Sequence, residues 1–200
     1  MIRVLQVIEG LEIGGAETMI VNLHRAIDRD KVQFDYIITN PSKSQAYLKE
    51  VRELGGKVYV FPAFNGKNII QVRKHWDAFF SRHKEYKILH SHLRSYASIF
   101  LPISKKHGLK TIIHSHSTSN GKGVSALVKA VLQYPLRWQA DYFMGCSIEA
   151  GEWLFGRRKC KTEKFIVLKN VDDMGLREVI YYVKKELRIK RKELILPGEY

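Results

Sequence analysis

Strand-like and helix-like stretches alternate along nearly the whole chain, and few architectures accept that order. Apolar runs fill residues 4–8, 34–39, 57–61, 87–92, 109–114, 141–146 and 164–168. Helical spacing fills the gaps: Met19, Ile20, Leu23, Ala26 and Ile27 share one face, then Leu48, Val51 and Leu54, then Ile69, Ile70, Trp76, Phe79 and Phe80. Tyr96, Ile99, Phe100 and Ile103 predict a further helix, which Pro102 is expected to bend or shorten. Val124, Leu127, Val128, Val131 and Leu132 form the cleanest helical stripe, with Pro135 placed to kink or end it. Ser147 is positioned to cap a helix whose Glu149 and Glu152 favour its positive end, and Gly156 stops it. Alternation of this kind predicts an α/β fold: a doubly wound parallel sheet of about seven strands with helices on both faces.

In such a Rossmann-like sheet, ligands bind outside the carboxyl ends of the strands. That rule selects Gly14-Gly15, Asn40, residues 90–92, residues 114–119 and Ser147. Gly14 and Gly15 join the first strand to the first helix. They permit positive φ and a side-chain-free approach, and the helix points unpaired N–H groups at the same gap. This suits a phosphate or carboxylate; a tight strand-to-helix turn is the plainer role.

His90-Ser91-His92 and His114-Ser115-His116 each end a strand on that edge. Successive strand residues face opposite ways, so the two histidines of each motif share a face. His90 and His114 read as core histidines hydrogen-bonded beneath a site, and His92 and His116 as substrate contacts. Imidazole is a common metal ligand, but no Asp, Glu or Cys lies close by in sequence to complete a set, so no metal is expected. The hydroxyls of Ser115, Ser117, Thr118 and Ser119 suit hydrogen bonding to a sugar or phosphate. No Gly-x-Ser-x-Gly elbow, Walker loop or Cys-x-x-Cys is present.

The net charge is +14, which attracts nucleic acid, anionic lipid or phosphate-bearing substrates. No basic run is interleaved with stacking aromatics as in an RNA-recognition motif, and nucleic acid is not an expected partner. Two cysteines, Cys146 and Cys160, are too few for a disulfide framework. No apolar run reaches the length of a membrane span, and the N-terminus reads as a strand. A cytoplasmic protein is expected.

Taken in order, these residues resemble a known family. Residues 4–8 followed by Gly14-Gly15-Ala16-Glu17 are similar to the opening strand and Gly-Gly-Ala-Glu loop of glycosyltransferase family 4, of the GT-B fold. Leu54-Gly55 before Val58, His90-Ser91-His92, Ile113-His114-Ser115-His116, Ser147 with Leu154-Phe155-Gly156, and Leu168-Lys169-Asn170-Val171-Asp172 match later family features in the same order. The resemblance covers residues 1–172 and is nearest to bacterial exopolysaccharide or capsule enzymes.

The resemblance implies an acceptor-side N-terminal domain of a retaining transferase over residues 1–172. It implies that His116 lies near the reacting sugar as the catalytic candidate. Gly14, Gly15, Glu17, His92 and Ser117 then belong to the substrate site. The co-substrate is a nucleotide-sugar, with UDP as the family guess, and no metal or other cofactor is implied. A lipid-linked or glycan acceptor suits a basic face near an anionic membrane, with Lys122, Lys129 and Arg137 as candidates. Residues 173–200 read as a linker and helical tail, without room for the second, donor-binding domain, which must come in cis or in trans. The linker glycine is also missing, since Asn170 runs directly into Val171. The alternative is a non-catalytic Rossmann-like interaction module.

Overall fold

A computed structural model describes residues 1–168 of the chain; the expected linker at 169–172 and tail at 173–200 lie outside the described residues. The strands are β1 (Ile2–Ile8), β2 (Val32–Ile38), β3 (Val58–Val60), β4 (Tyr86–Ser91), β5 (Lys110–Ser115), β6 (Tyr142–Gly145) and β7 (Phe165–Val167). The helices are α1 (Gly15–Ala26), α2 (Leu48–Glu53), α3 (Ile69–Arg82), α4 (Ala97–Lys106), α5 (Val124–Gln133), α6 (Leu136–Gln139), α7 (Ile148–Phe155) and α8 (Arg157–Cys160). All seven strands pair in parallel, in the order β3-β2-β1-β4-β5-β6-β7. Each expected strand is present at its expected place.

The period of two along the strands builds both cores. Val4 and Ile8 of β1 join Phe34, Tyr36, Ile88 and Ile112 in a layer with Met19, Ile20 and Leu23 of α1. Leu5 and Val7 face the other way, among Ile37, Leu89, Ile113 and Phe143. There α3 and α4 pack, with Trp76 stacked on Phe100 at 4.3 Å between centroids. Trp76 Nε1–H donates to the Tyr96 hydroxyl at 3.0 Å, which donates to the Pro62 carbonyl at 2.9 Å. Near the amino ends of the strands, buried Asp35 accepts two bonds from Arg3, at 2.6 and 2.5 Å, and one from Tyr86 at 2.7 Å. The Lys57 amide donates to it as well, at 2.7 Å, so one carboxylate ties together β1, β2, β4 and the entry to β3.

One helix departs from expectation, and another leaves its apolar stripe bare. Pro102 neither ends nor shortens α4, which continues to Lys106. The proline sits on the exposed side of the helix, where water can replace the backbone donor it lacks. On α5 the apolar stripe is helical but does not enter the core: Val124, Leu127, Val128 and Val131 are 79%, 66%, 53% and 65% exposed, and only Gln133 of that helix is buried. Pro135 separates α5 from α6.

Candidate functional site

The strand order reverses between β1 and β4, since β1 leads to β2 on one side while β4 and β5 lie on the other. Sheets of this kind bind ligands at the carboxyl ends of the strands beside such a reversal. The turn into α1, the end of β4 and the end of β5 all lie on that edge.

Gly14 caps α1 in extended backbone, φ −137°, and neither Gly14 nor Gly15 takes positive φ. The positive φ expected of this turn is therefore corrected. What glycine supplies at position 14 is space, because a Cβ there would stand 2.5 Å from Glu17 Oε2. The Glu17 carboxyl folds back over the turn. Burial raises its pKa, with Glu12 and Glu9 adding to the rise against the opposing pull of its own backbone amide and Lys43. Lys43 holds Glu9 at 2.8 Å and Glu12 at 2.6 Å. The mouth of this turn is thus rich in carboxylates, which weakens its case as a phosphate cradle. Gly15, the first residue of α1, is exposed.

The two His-Ser-His motifs meet on one face of the sheet. The register sets Gln6 beside His90, and His90 beside Ile112, so His92 falls beside His114. His90 and His114 stack with their rings 6° from parallel and 5.5 Å apart. His92 Nδ1 lies 2.8 Å from His116 Nε2, and His92 Nε2 lies 3.0 Å from Gln6 Oε1. These contacts fix the protons. The Gln6 oxygen only accepts, so His92 donates through Nε2–H. A neutral His92 then accepts at Nδ1, and His116 donates to it through Nε2–H.

Burial disfavours the charged form of His90, His92 and His114. It pulls the His90 pKa down to about 3, helped by the charge His116 would carry. It drives His92 and His114 well below the usual imidazole value, with the neighbouring histidines adding to the fall. The expectation of hydrogen-bonded core histidines is half correct. His90 and His114 are buried, 2% and 0% exposed, yet His90 Nε2 and both ring nitrogens of His114 have no hydrogen-bond partner among the described residues. The Leu168 backbone approaches His114 without meeting hydrogen-bond geometry. Unmet buried polar groups of this kind cost about 1–3 kcal/mol each.

The serines order the loops. Ser91 Oγ donates to the Leu93 carbonyl at 3.0 Å. Half-buried Ser117 donates to the Ser119 carbonyl at 3.3 Å and accepts from the Ser119 amide at 3.2 Å, so its hydroxyl is already engaged in the loop. Arg94, which the motif reading passed over, donates to the Ser119 carbonyl at 3.1 Å and lies 5.2 Å from the Trp153 ring centre. Burial lowers its pKa. Its only sequence signal was a cation two places beyond a strand-end histidine. Behind the loop lies a cleft of about 220 Å³, lined among others by Asn120, Gln133, Tyr134, Arg137 and Trp153. As expected, Ser147 caps α7, accepting from the Ala150 amide at 3.2 Å. Asn40, also on the strand edge, bonds through its backbone to the Glu9 carbonyl at 2.7 Å.

Residues 13–171 match the profile of the family described as Glycosyltransferase Family 4. The chain belongs to glycosyltransferase family 4. The resemblance carried by the glycine turn and the two histidine motifs is borne out. EpsF of Bacillus subtilis (strain 168), whose name carries a glycosyltransferase assignment, is 29% identical over 178 residues, 87% of this chain and 46% of that protein. Among solved structures, Anabaena Alr3699/HepE in complex with UDP and glucose superposes with a TM-score of 0.59 at 16% identity, over 94% of this chain and 50% of that one. A glycosyltransferase from Rickettsia africae gives 0.60 at 11% identity, over 96% and 50%. The lipopolysaccharide outer core galactosyltransferase WaaB gives 0.57 at 20%, over 84% and 45%. At these identities the likeness is one of fold, that of one Rossmann-like half of a GT-B glycosyltransferase. The family 4 chain spans about half the length of the relatives it matches. Among the described residues no helix is long and apolar enough to cross a membrane.

Proposed function

We propose that the chain is the acceptor-binding half of a retaining glycosyltransferase of cell-surface polysaccharide synthesis. In this reading the half that binds the nucleotide-sugar lies outside these residues, in cis or in trans. The observation that carries the proposal is the pairing of His116 with His92 beyond the carboxyl ends of β5 and β4, on the same sheet edge as the Gly14-Gly15 turn. His116 meets the reacting sugar there, while His92 and Gln6 set its tautomer. Gly14 and Gly15 let the acceptor approach the backbone, Glu17 braces the turn, and Ser117 shapes the loop beside it. The carboxylates at the turn favour a hydroxyl-bearing acceptor over a diphosphate. The donor diphosphate then belongs to the second half, with a UDP-linked sugar as the donor, the class of ligand held by HepE.

The acceptor is lipid-linked, and α5 rests on the membrane that carries it, at its cytoplasmic face. The apolar side chains exposed on α5 continue into Tyr134 and Trp138, 57% and 61% exposed. Residues 121–140 contain Lys122, Lys129 and Arg137 and no Asp or Glu. An apolar face with cations and no carboxylates matches an anionic interface. Arg137 is the least available of the three, since it lies 4.9 Å from the Tyr134 ring centre and donates to the Leu154 carbonyl at 3.2 Å. Sedimentation with vesicles tests this. The chain should bind phosphatidylglycerol vesicles and spare phosphatidylcholine ones, and Val128→Glu should weaken binding at least about tenfold. Equal binding by wild type and variant would remove α5 from the account. His116→Ala should reduce binding of a lipid-linked glycan to the chain while leaving vesicle binding unchanged; unaltered glycan binding would count against this site.

A further inference from the structure

The structure points to a feature beyond sugar transfer. We propose that His90, His92 and His114 form a binding site for a divalent first-row transition ion of the zinc, nickel or copper class.

Three observations carry the proposal. The first is position: one ring nitrogen from each of the three histidines lies within 4.8 Å of the other two. A tetrahedral ion with Zn–N bonds of about 2.0–2.1 Å needs donors about 3.3 Å apart. The second is unmet bonding. His90 Nε2 and both nitrogens of His114 are buried without a partner among the described residues, whereas buried ring nitrogens ordinarily have one. An ion at the centre of the cluster gives His90 and His114 the partner that the described residues do not. The third is the outer contact of His92. Its Nε2–H donates to Gln6 Oε1, and such a bond fixes the tautomer of a metal-bound histidine and leaves the other nitrogen to the ion.

The donor chemistry narrows the ion. Imidazole nitrogen suits zinc, copper and nickel, while calcium and magnesium require oxygen ligands. Three protein ligands leave one position of a tetrahedron for water or a substrate oxygen. Binding would draw His92 Nδ1 away from its bond with His116, so the ion and the His92–His116 contact compete for one lone pair. Occupancy therefore bears directly on how His116 is held.

The test uses the whole chain after treatment with a chelator. Titration with Zn²⁺ alone should show about one equivalent bound at micromolar affinity or tighter, and Co²⁺ should give the intense visible bands of a tetrahedral nitrogen site. His90→Gln and His114→Gln, checked for folding by circular dichroism, should each lose at least about tenfold in affinity. His83→Gln, whose ring bonds to Glu85 at the surface, should bind as wild type does. Failure of the folded wild type to saturate, a weak octahedral Co²⁺ spectrum, or wild-type affinity in both cluster variants would each overturn the site. The Co²⁺ spectrum of the wild type decides the matter even if a cluster variant does not fold.

Discussion

His24 shows how a single buried side chain can set a pH limit on this fold. It lies on α1, fully buried, with Nε2 2.5 Å from Gln33 Oε1 and Nδ1 3.0 Å from the Tyr36 hydroxyl. The Gln33 oxygen accepts, so Nε2 carries the proton and the Tyr36 hydroxyl donates to Nδ1. Burial lowers its pKa, and the Gln33 bond opposes this only in part. The unfolded imidazole takes a proton below about pH 6.5, where the folded one still refuses it. Stability is therefore complete above that pH and falls as the pH drops below it. One such group contributes at most about 1.4 kcal/mol per pH unit. Urea unfolding at pH 7, 6 and 5 should show a steeper loss for wild type than for His24→Phe; identical slopes would refute the assignment. At the same scale, Gly14→Ala should cost within about 1 kcal/mol, since its backbone is extended and the clash is with the mobile end of Glu17. The pairing of His90 with His92 on one face was legible from alternation alone. That His114 and His116 stand against them was not, because adjacency of β4 and β5 depends on sheet order, and the search for a metal set stayed within neighbouring sequence.

At the scale of elements, the junction of β6 and α7 is the tightest backbone approach near the site. A Cβ on Gly145 would lie 2.6 Å from the Ser147 carbonyl oxygen and 2.9 Å from the Gly151 amide nitrogen. Both are backbone atoms and cannot swing aside. Gly145→Ala should cost about 2 kcal/mol or more, measured by thermal or urea unfolding; a neutral effect would show that α7 shifts freely. By contrast, Val128→Glu on α5 should change stability by less than about 0.5 kcal/mol, because Val128 is already 53% exposed. Helical spacing located α5 correctly, but spacing alone does not say whether an apolar stripe meets a core or stays bare. The same limit applies to Pro102, whose effect depends on the face it occupies.

Over the whole molecule, strand and helix alternation specified the parallel, doubly wound sheet, and all seven strands lie where the apolar runs fall. The strand order was open in the sequence, and it is the order that places β1 next to β4 and brings the two histidine motifs together on β4 and β5. The central claim is that this family 4 half holds the acceptor and that sugar transfer needs a second half for the donor. The most direct test is a transfer assay on the purified 200-residue chain with UDP-glucose, other UDP-linked sugars and a lipid-linked glycan acceptor. The account predicts acceptor binding with no turnover above background. Turnover by this chain alone at about one per second or faster, an ordinary enzymatic rate, would contradict it.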